Sequence, residues 1–101
     1  MLIYNITYLV AERETETWLQ WMKEKIIPEM MAAEIFAKPQ IAKILNNLDE
    51  GGNSYSVQFH CDSAYELDKW QQSNVGNLQE ECSKMFGSEV LFFPTILKLI
   101  D

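Results

Sequence analysis

From Ser54 to Cys61 apolar and polar residues alternate without a break: Tyr55, Val57, Phe59 and Cys61 interleave with Ser54, Ser56, Gln58 and His60. A period of two belongs to a strand with one covered and one open face, and a one-residue slip would exchange the two sets. The chain must therefore build a sheet covered on one side, and its other side must meet water or a partner.

The flanking segments supply the rest of that sheet and its cover. Leu2 to Val10 is rich in Ile, Tyr, Thr and Val, lacks Gly and Pro, and reads as a strand with apolar residues on both faces. Glu14 to about Ile27 reads as a helix, with Thr15 as its N-cap, acidic residues at its positive end, and a stripe of Trp18, Leu19, Met22 and Ile26. Trp21 lies off that stripe and is expected to be partly exposed. Pro28 removes a backbone donor and predicts a break or kink, followed by a short turn carrying Met30 and Met31. Residues 35–46 read as a second strand, at an edge because of Pro39. Asn46 to Asn53 contains Gly51 and Gly52 and predicts a hairpin loop into the alternating strand.

After that strand, Ser63-Ala64-Tyr65-Glu66 matches a capping box. A helix to about Phe86 follows, with Leu67, Trp70, Leu78, Cys82 and Met85 on its inner side, Gly76 as a weak point and Gly87 as its cap. Glu89 to Ile100 is the last strand, apolar on both sides, and Pro94 again marks an edge. The order β-α-β-β-α-β predicts an α+β, ferredoxin-like plait, with two helices on one face of a four-stranded antiparallel sheet. At 101 residues the chain has room for one domain. Leu91, Phe93, Leu97 and Leu99 on one side of the last strand, and Val90, Phe92, Ile96 and Ile100 on the other, leave it no solvent side. A homodimer closed across the open sheet is the expected solution; the alternative is a monomer whose own loops cover the strand.

The Trp18-to-Met22 helix running into Ile27-Pro28-Glu29, the opening Ile3-Tyr4-Asn5-Ile6-Thr7, the Gly51-to-Phe59 hairpin and Met85-Phe86-Gly87 resemble a bacterial domain-of-unknown-function family within the dimeric α/β-barrel superfamily. The resemblance spans nearly the whole chain. Its motifs are scaffold motifs, so it implies a fold and a dimer and brings no established activity. Some superfamily members are haem-degrading monooxygenases, whose pattern has an Asn on the first strand, a Trp on the second helix and a haem-ligating His about ten residues later. Asn5 and Trp70 match the first two positions, but Gln79, Glu80 and Glu81 stand where the His belongs, and haem degradation is not expected.

Charge and motif chemistry narrow the remaining possibilities. A net charge of -7, from 8 basic and 15 acidic side chains, disfavours nucleic acid and anionic membrane surfaces. No apolar run reaches membrane-spanning length and no signal peptide is evident, so the chain reads as cytoplasmic. Cys61 and Cys82 lack metal-ligand spacing and have no neighbouring base, and His60 is the lone histidine, so neither a metal site, a cofactor nor a catalytic thiol is expected. Glu80 and Glu81 point in different directions and form no dyad. Asn5, Thr7, Ser56, Gln58 and His60 are expected on the open face, a mixed polar patch inside an apolar frame such as small-ligand pockets show. The blander alternative is that they hydrogen-bond one another or water. Three functions follow: a homodimeric binding or sensing module for a small apolar or mixed-polarity molecule, a cofactor-independent monooxygenase or isomerase, or a structural dimer without ligand.

Overall fold

A computed structural model describes residues 1–45 and 52–100. Four strands, β1 (Leu2–Ala11), β2 (Ala37–Lys43), β3 (Gly52–Cys61) and β4 (Val90–Lys98), form one antiparallel sheet in the order β2-β3-β1-β4. The helices are α1 (Thr15–Trp21), α2 (Ile27–Met31) and α3 (Ala64–Phe86). This is the expected ferredoxin-like plait, and Pro39 and Pro94 both lie in edge strands. β2 is shorter than the 35–46 expected. It is broken by a register shift between Ala37 and Gln40, where Lys38 takes a left-handed φ of 52°. Of the expected hairpin loop, residues 46–51 lie outside the described residues.

The first helix does not break before Pro28. Backbone angles stay helical from α1 into α2 through a π-helical turn, Met22–Ile26, whose wider i→i−5 bonding includes Ile27 N–H to the Met22 carbonyl. A π turn lets a helix absorb the bond and space that proline denies it. Thr15 is the first helical residue, not the cap. Its hydroxyl instead accepts from Asn53 Nδ2 at 3.2 Å and tethers the helix start to β3. At α3 the capping box forms in part: Ser63 Oγ accepts from the Glu66 amide at 3.1 Å. Gly76 leaves α3 unbroken. Gly87 closes it at φ 59°, a region costly for any residue with a Cβ.

Between sheet and helices the core is aromatic. Tyr4, Ile6, Tyr8 and Val10 of β1 and Tyr55, Val57, Phe59 and Cys61 of β3 are all buried. Trp18 reaches down from α1 and lies 4.8 Å from Tyr55 and 5.1 Å from Tyr8, ring centre to ring centre. Such pairs add about 0.5–1.5 kcal/mol beyond the area they bury. Two expected exposures reverse. Trp21 is buried, edge-on to Phe86 at 5.3 Å, because the two helices close over it. Met85 is half exposed and Phe86 takes the inner position expected for it, since the stripe of α3 runs Leu78, Cys82, Phe86 at four-residue steps. Among the described residues no helix is long and apolar enough to cross a membrane.

Candidate functional site

The open face follows from the strand registers. Asn5 sits opposite Gln58 on one side and Thr95 on the other, and Thr7 sits opposite Ser56 and Phe93. Ile3 is flanked by His60 and Leu97, and Leu9 by Ser54 and Leu91. On β2, Gln40 faces Gln58 and Ala42 faces Ser56. Since Tyr4, Ile6 and Tyr8 point to the helices, strand alternation puts Asn5, Thr7, Ser56, Gln58 and His60 on the opposite side, all half-buried.

These five residues divide into two groups. Asn5 is the hub of the first: its Nδ2 donates to Thr7 Oγ1 at 3.2 Å, and its Oδ1 accepts from the Ser56 hydroxyl. Gln58, paired with Asn5 in register, continues this polar centre, and Gln40 and Thr95 extend it sideways. His60 stands at the far end, between Ile3 and Ala37 in register. It lines a separate recess of about 180 Å³ with Glu34, Lys38 and Asp62. Two residues of that recess, Glu34 (φ 64°) and Lys38 (φ 52°), hold left-handed backbone without being glycine.

β4 frames the polar centre with hydrocarbon. Val90 is buried and Phe92 half-buried, whereas Leu91, Phe93, Ile96 and Leu97, with Leu99 and Ile100 just beyond the strand, are 40–80% exposed. Leu91, Phe93 and Leu97 lie on the open face, while Ile96 lies on the helix side of the sheet, opposite Tyr4. Its exposure reflects the position of β4 at the sheet edge. Neither edge strand is alike: β2 carries Lys38, Pro39, a bulge and Lys43, devices that discourage pairing, while β4 has no charge before Lys98.

The cysteines are both buried and free. Burial pushes the Cys82 thiol up to about 11, which keeps it neutral and unreactive at ordinary pH. Trp70 belongs to an aromatic cluster, edge-on to Tyr4 at 5.6 Å and to Phe36 at 5.0 Å, and Glu80 points outward to Lys84 at 3.4 Å. Among the described residues no group of three or more His, Cys, Asp or Glu is placed to hold a metal ion. Sequence reasoning passed over the cleft between α2 and α3, about 130 Å³, where one Glu81 carboxylate oxygen is buried without a hydrogen-bond partner among the described residues. Helical spacing gives no sign of it, because it depends on how two separate helices cross.

Solved structures share this architecture. An ethyl tert-butyl ether D (EthD) family protein from Bacillus halodurans matches with a TM-score of 0.64 and 10% identity, over 99% of this chain and 100% of its own. A dimeric ferredoxin-like protein from an uncultured marine organism matches at 0.66 with 13% identity, over 100% of this chain and 96% of its own. A second protein so described, also from an uncultured marine organism, matches at 0.66 with 8% identity, over 99% and 97%. At these identities the likeness concerns the fold. No curated protein matches the sequence. Residues 1–100 match the family described as Domain of unknown function (DUF4286), and the chain belongs to that family.

Proposed function

We propose that this chain is a homodimeric binding module, a single dimeric α/β-barrel domain in which two copies bring their open sheet faces together around a small molecule. Asn5, Thr7, Ser56 and Gln58 form the polar floor of the shared space, and His60 stands at its end. The occupant is a small apolar or mixed-polarity compound, held by the hydrocarbon frame and oriented by a few amide and hydroxyl groups.

One observation carries this reading: a hydrogen-bonded polar centre at Asn5 lies within an exposed apolar strip of β4. Apolar surface of that kind favours burial against a partner, and two copies related by a two-fold axis present the same patch to each other. The two marine proteins described as dimeric ferredoxin-like lend support through their shared fold.

The test has two parts. Light scattering on a size-exclusion column is expected to report twice the 11.8 kDa chain mass at micromolar concentration. Native mass spectrometry of the purified protein is then expected to show a bound small molecule that Asn5→Leu and Gln58→Leu release while the dimer persists. A monomer would overturn the shared site. A dimer that carries and accepts no small molecule would leave the structural-dimer alternative in its place.

A further inference from the structure

We infer that the molecule held between the two open sheets is an uncharged cyclic amide, read by one row of side chains that crosses all four strands. This ligand class rests on the homodimeric reading above and belongs to the same shared space.

The strand registers set the row. Gln40 of β2 lies opposite Gln58 of β3, Gln58 opposite Asn5 of β1, and Asn5 opposite Thr95 of β4. Each strand therefore contributes one neutral hydrogen-bonding side chain at the same level of the open face. Ile3 and Leu97 border the row on one side and Phe93 on the other, so hydrocarbon flanks the polar groups.

Charge is missing from this face. The chain carries 8 basic and 15 acidic side chains, yet none stands among the described residues that the registers place there. His60 is the one titratable group, and it lines the recess at the end of the sheet, apart from the row. An ion enclosed between two copies of such a face would lose its water and meet no counter-charge. An uncharged molecule avoids that cost.

Amide chemistry follows from what stays unbonded. Asn5 Nδ2 gives one hydrogen to Thr7 and Oδ1 accepts from Ser56, which leaves one N–H and one lone pair on a side chain held in place. Neither bond involves Gln58, whose carboxamide offers a donor and an acceptor of its own. Neighbouring strands lie about 4.8 Å apart, so one small molecule can span both amides. A ligand with adjacent N–H and C=O groups satisfies both kinds of partner at once. A ketone or ether supplies acceptors alone, and a polyol has no apolar surface to set against Ile3, Phe93 and Leu97. A ring that carries the amide on one edge and hydrocarbon on the other meets both demands.

The experiment titrates the wild-type protein, its mass followed by light scattering, with carbostyril, a neutral fused-ring lactam. Two analogues run beside it: N-methylcarbostyril keeps the shape and loses the N–H, and quinaldate carries a carboxylate. Isothermal titration calorimetry is expected to show saturable binding of carbostyril to the dimer. Both analogues are expected to bind at least about tenfold more weakly, the scale of one buried hydrogen-bonding group left unmet. Gln58→Leu is expected to stay dimeric and to lose the discrimination between carbostyril and its N-methyl analogue. A dimer that saturates with none of the three, or binds either analogue as tightly as carbostyril, would overturn this ligand class and leave the homodimeric module standing. A wild-type monomer would overturn that module and the ligand class with it. Undiminished discrimination in Gln58→Leu would also overturn the class, and so would its dissociation to monomers, which would assign the row to contact between the copies. If Gln58→Leu does not fold, the three-ligand comparison on the wild type decides alone.

Discussion

Asn5 and Ser56 are joined across the β1–β3 pair on a diagonal: the Ser56 hydroxyl donates to Asn5 Oδ1, although Ser56 is in register with Thr7. Because Asn5 also donates to Thr7, one side chain ties both strands and both neighbouring positions together. Backbone pairing alone does not need this bond. It holds the Asn5 amide in one orientation and so presets the polar surface that an incoming molecule would meet.

Asn5→Ala is expected to cost about 1 kcal/mol, since two half-buried hydrogen bonds go and Ser56 and Thr7 can rehydrate. Urea unfolding of the variant, followed by circular dichroism, measures it. A much larger loss would mean that Asn5 is sealed in the isolated fold, contrary to its half-buried position here.

Phe93→Glu should leave the fold intact and make the protein a monomer. Phe93 is 53% exposed and lies on the open face beside Thr7, so its substitution removes no core contact on the helix side. A carboxylate there would have to be desolvated twice in a two-fold interface. Light scattering at the wild-type concentration reads the mass, and an unfolding midpoint independent of protein concentration confirms the monomer. A variant that stays dimeric would place the interface elsewhere.

Two glycines should respond to alanine with opposite sign. Gly76 lies inside α3 with nothing within 4 Å of an added Cβ, so Gly76→Ala is expected to stabilise by roughly 0.5–1 kcal/mol. Gly87 also has room, yet its φ of +59° with ψ of -133° is a conformation that side chains resist. Gly87→Ala is expected to destabilise by about 1–3 kcal/mol. Thermal unfolding of both variants in one buffer decides the signs.

How much of this was legible beforehand depends on which interaction sets each feature. Strand alternation is local, so Ser56, Gln58 and His60 could be assigned to one face from Tyr55, Val57 and Phe59 alone. The edge positions followed from Pro39 and Pro94 for a similar reason, since a missing N–H is a property of one residue. Helix faces were less secure. Met85 and Phe86 are adjacent and both apolar, at three and four residues from Cys82, and the packing of Trp21 against Phe86 goes with the four-residue stripe. The π turn before Pro28 has no residue signature, because several backbone solutions relieve one proline. Within the candidate site, the face was readable, but the separation of His60 from the Asn5 network was not. That separation depends on side-chain geometry and on the irregular path around Glu34 and Lys38.

Alkaline pH should unfold the protein in steps, the first of them at Cys82. Its ordinary value is 9.0 and burial raises it to about 11 in the fold, because the thiolate would lose its water. Between those limits the unfolded chain releases this proton and the folded one keeps it, so stability falls as pH rises. The contribution is fully present below pH 9.0 and lost by about pH 11. Tyr4, lifted by burial from 10.0 to about 12, adds a second, later fall, and burial raises Tyr8 as well, reinforced by the nearby Cys82 and Tyr4. Cys82→Ala removes the first step and the part of the Tyr8 shift that Cys82 adds, and leaves the Tyr4 step in place. The variant starts from a lower melting temperature because a small cavity is left, but its decline should begin near pH 10.0, where the tyrosines take over. Melting curves recorded across this range by circular dichroism compare the slopes independently of the starting values. Parallel slopes for the wild type and Cys82→Ala would show that the thiol is not the first group to drive alkaline unfolding.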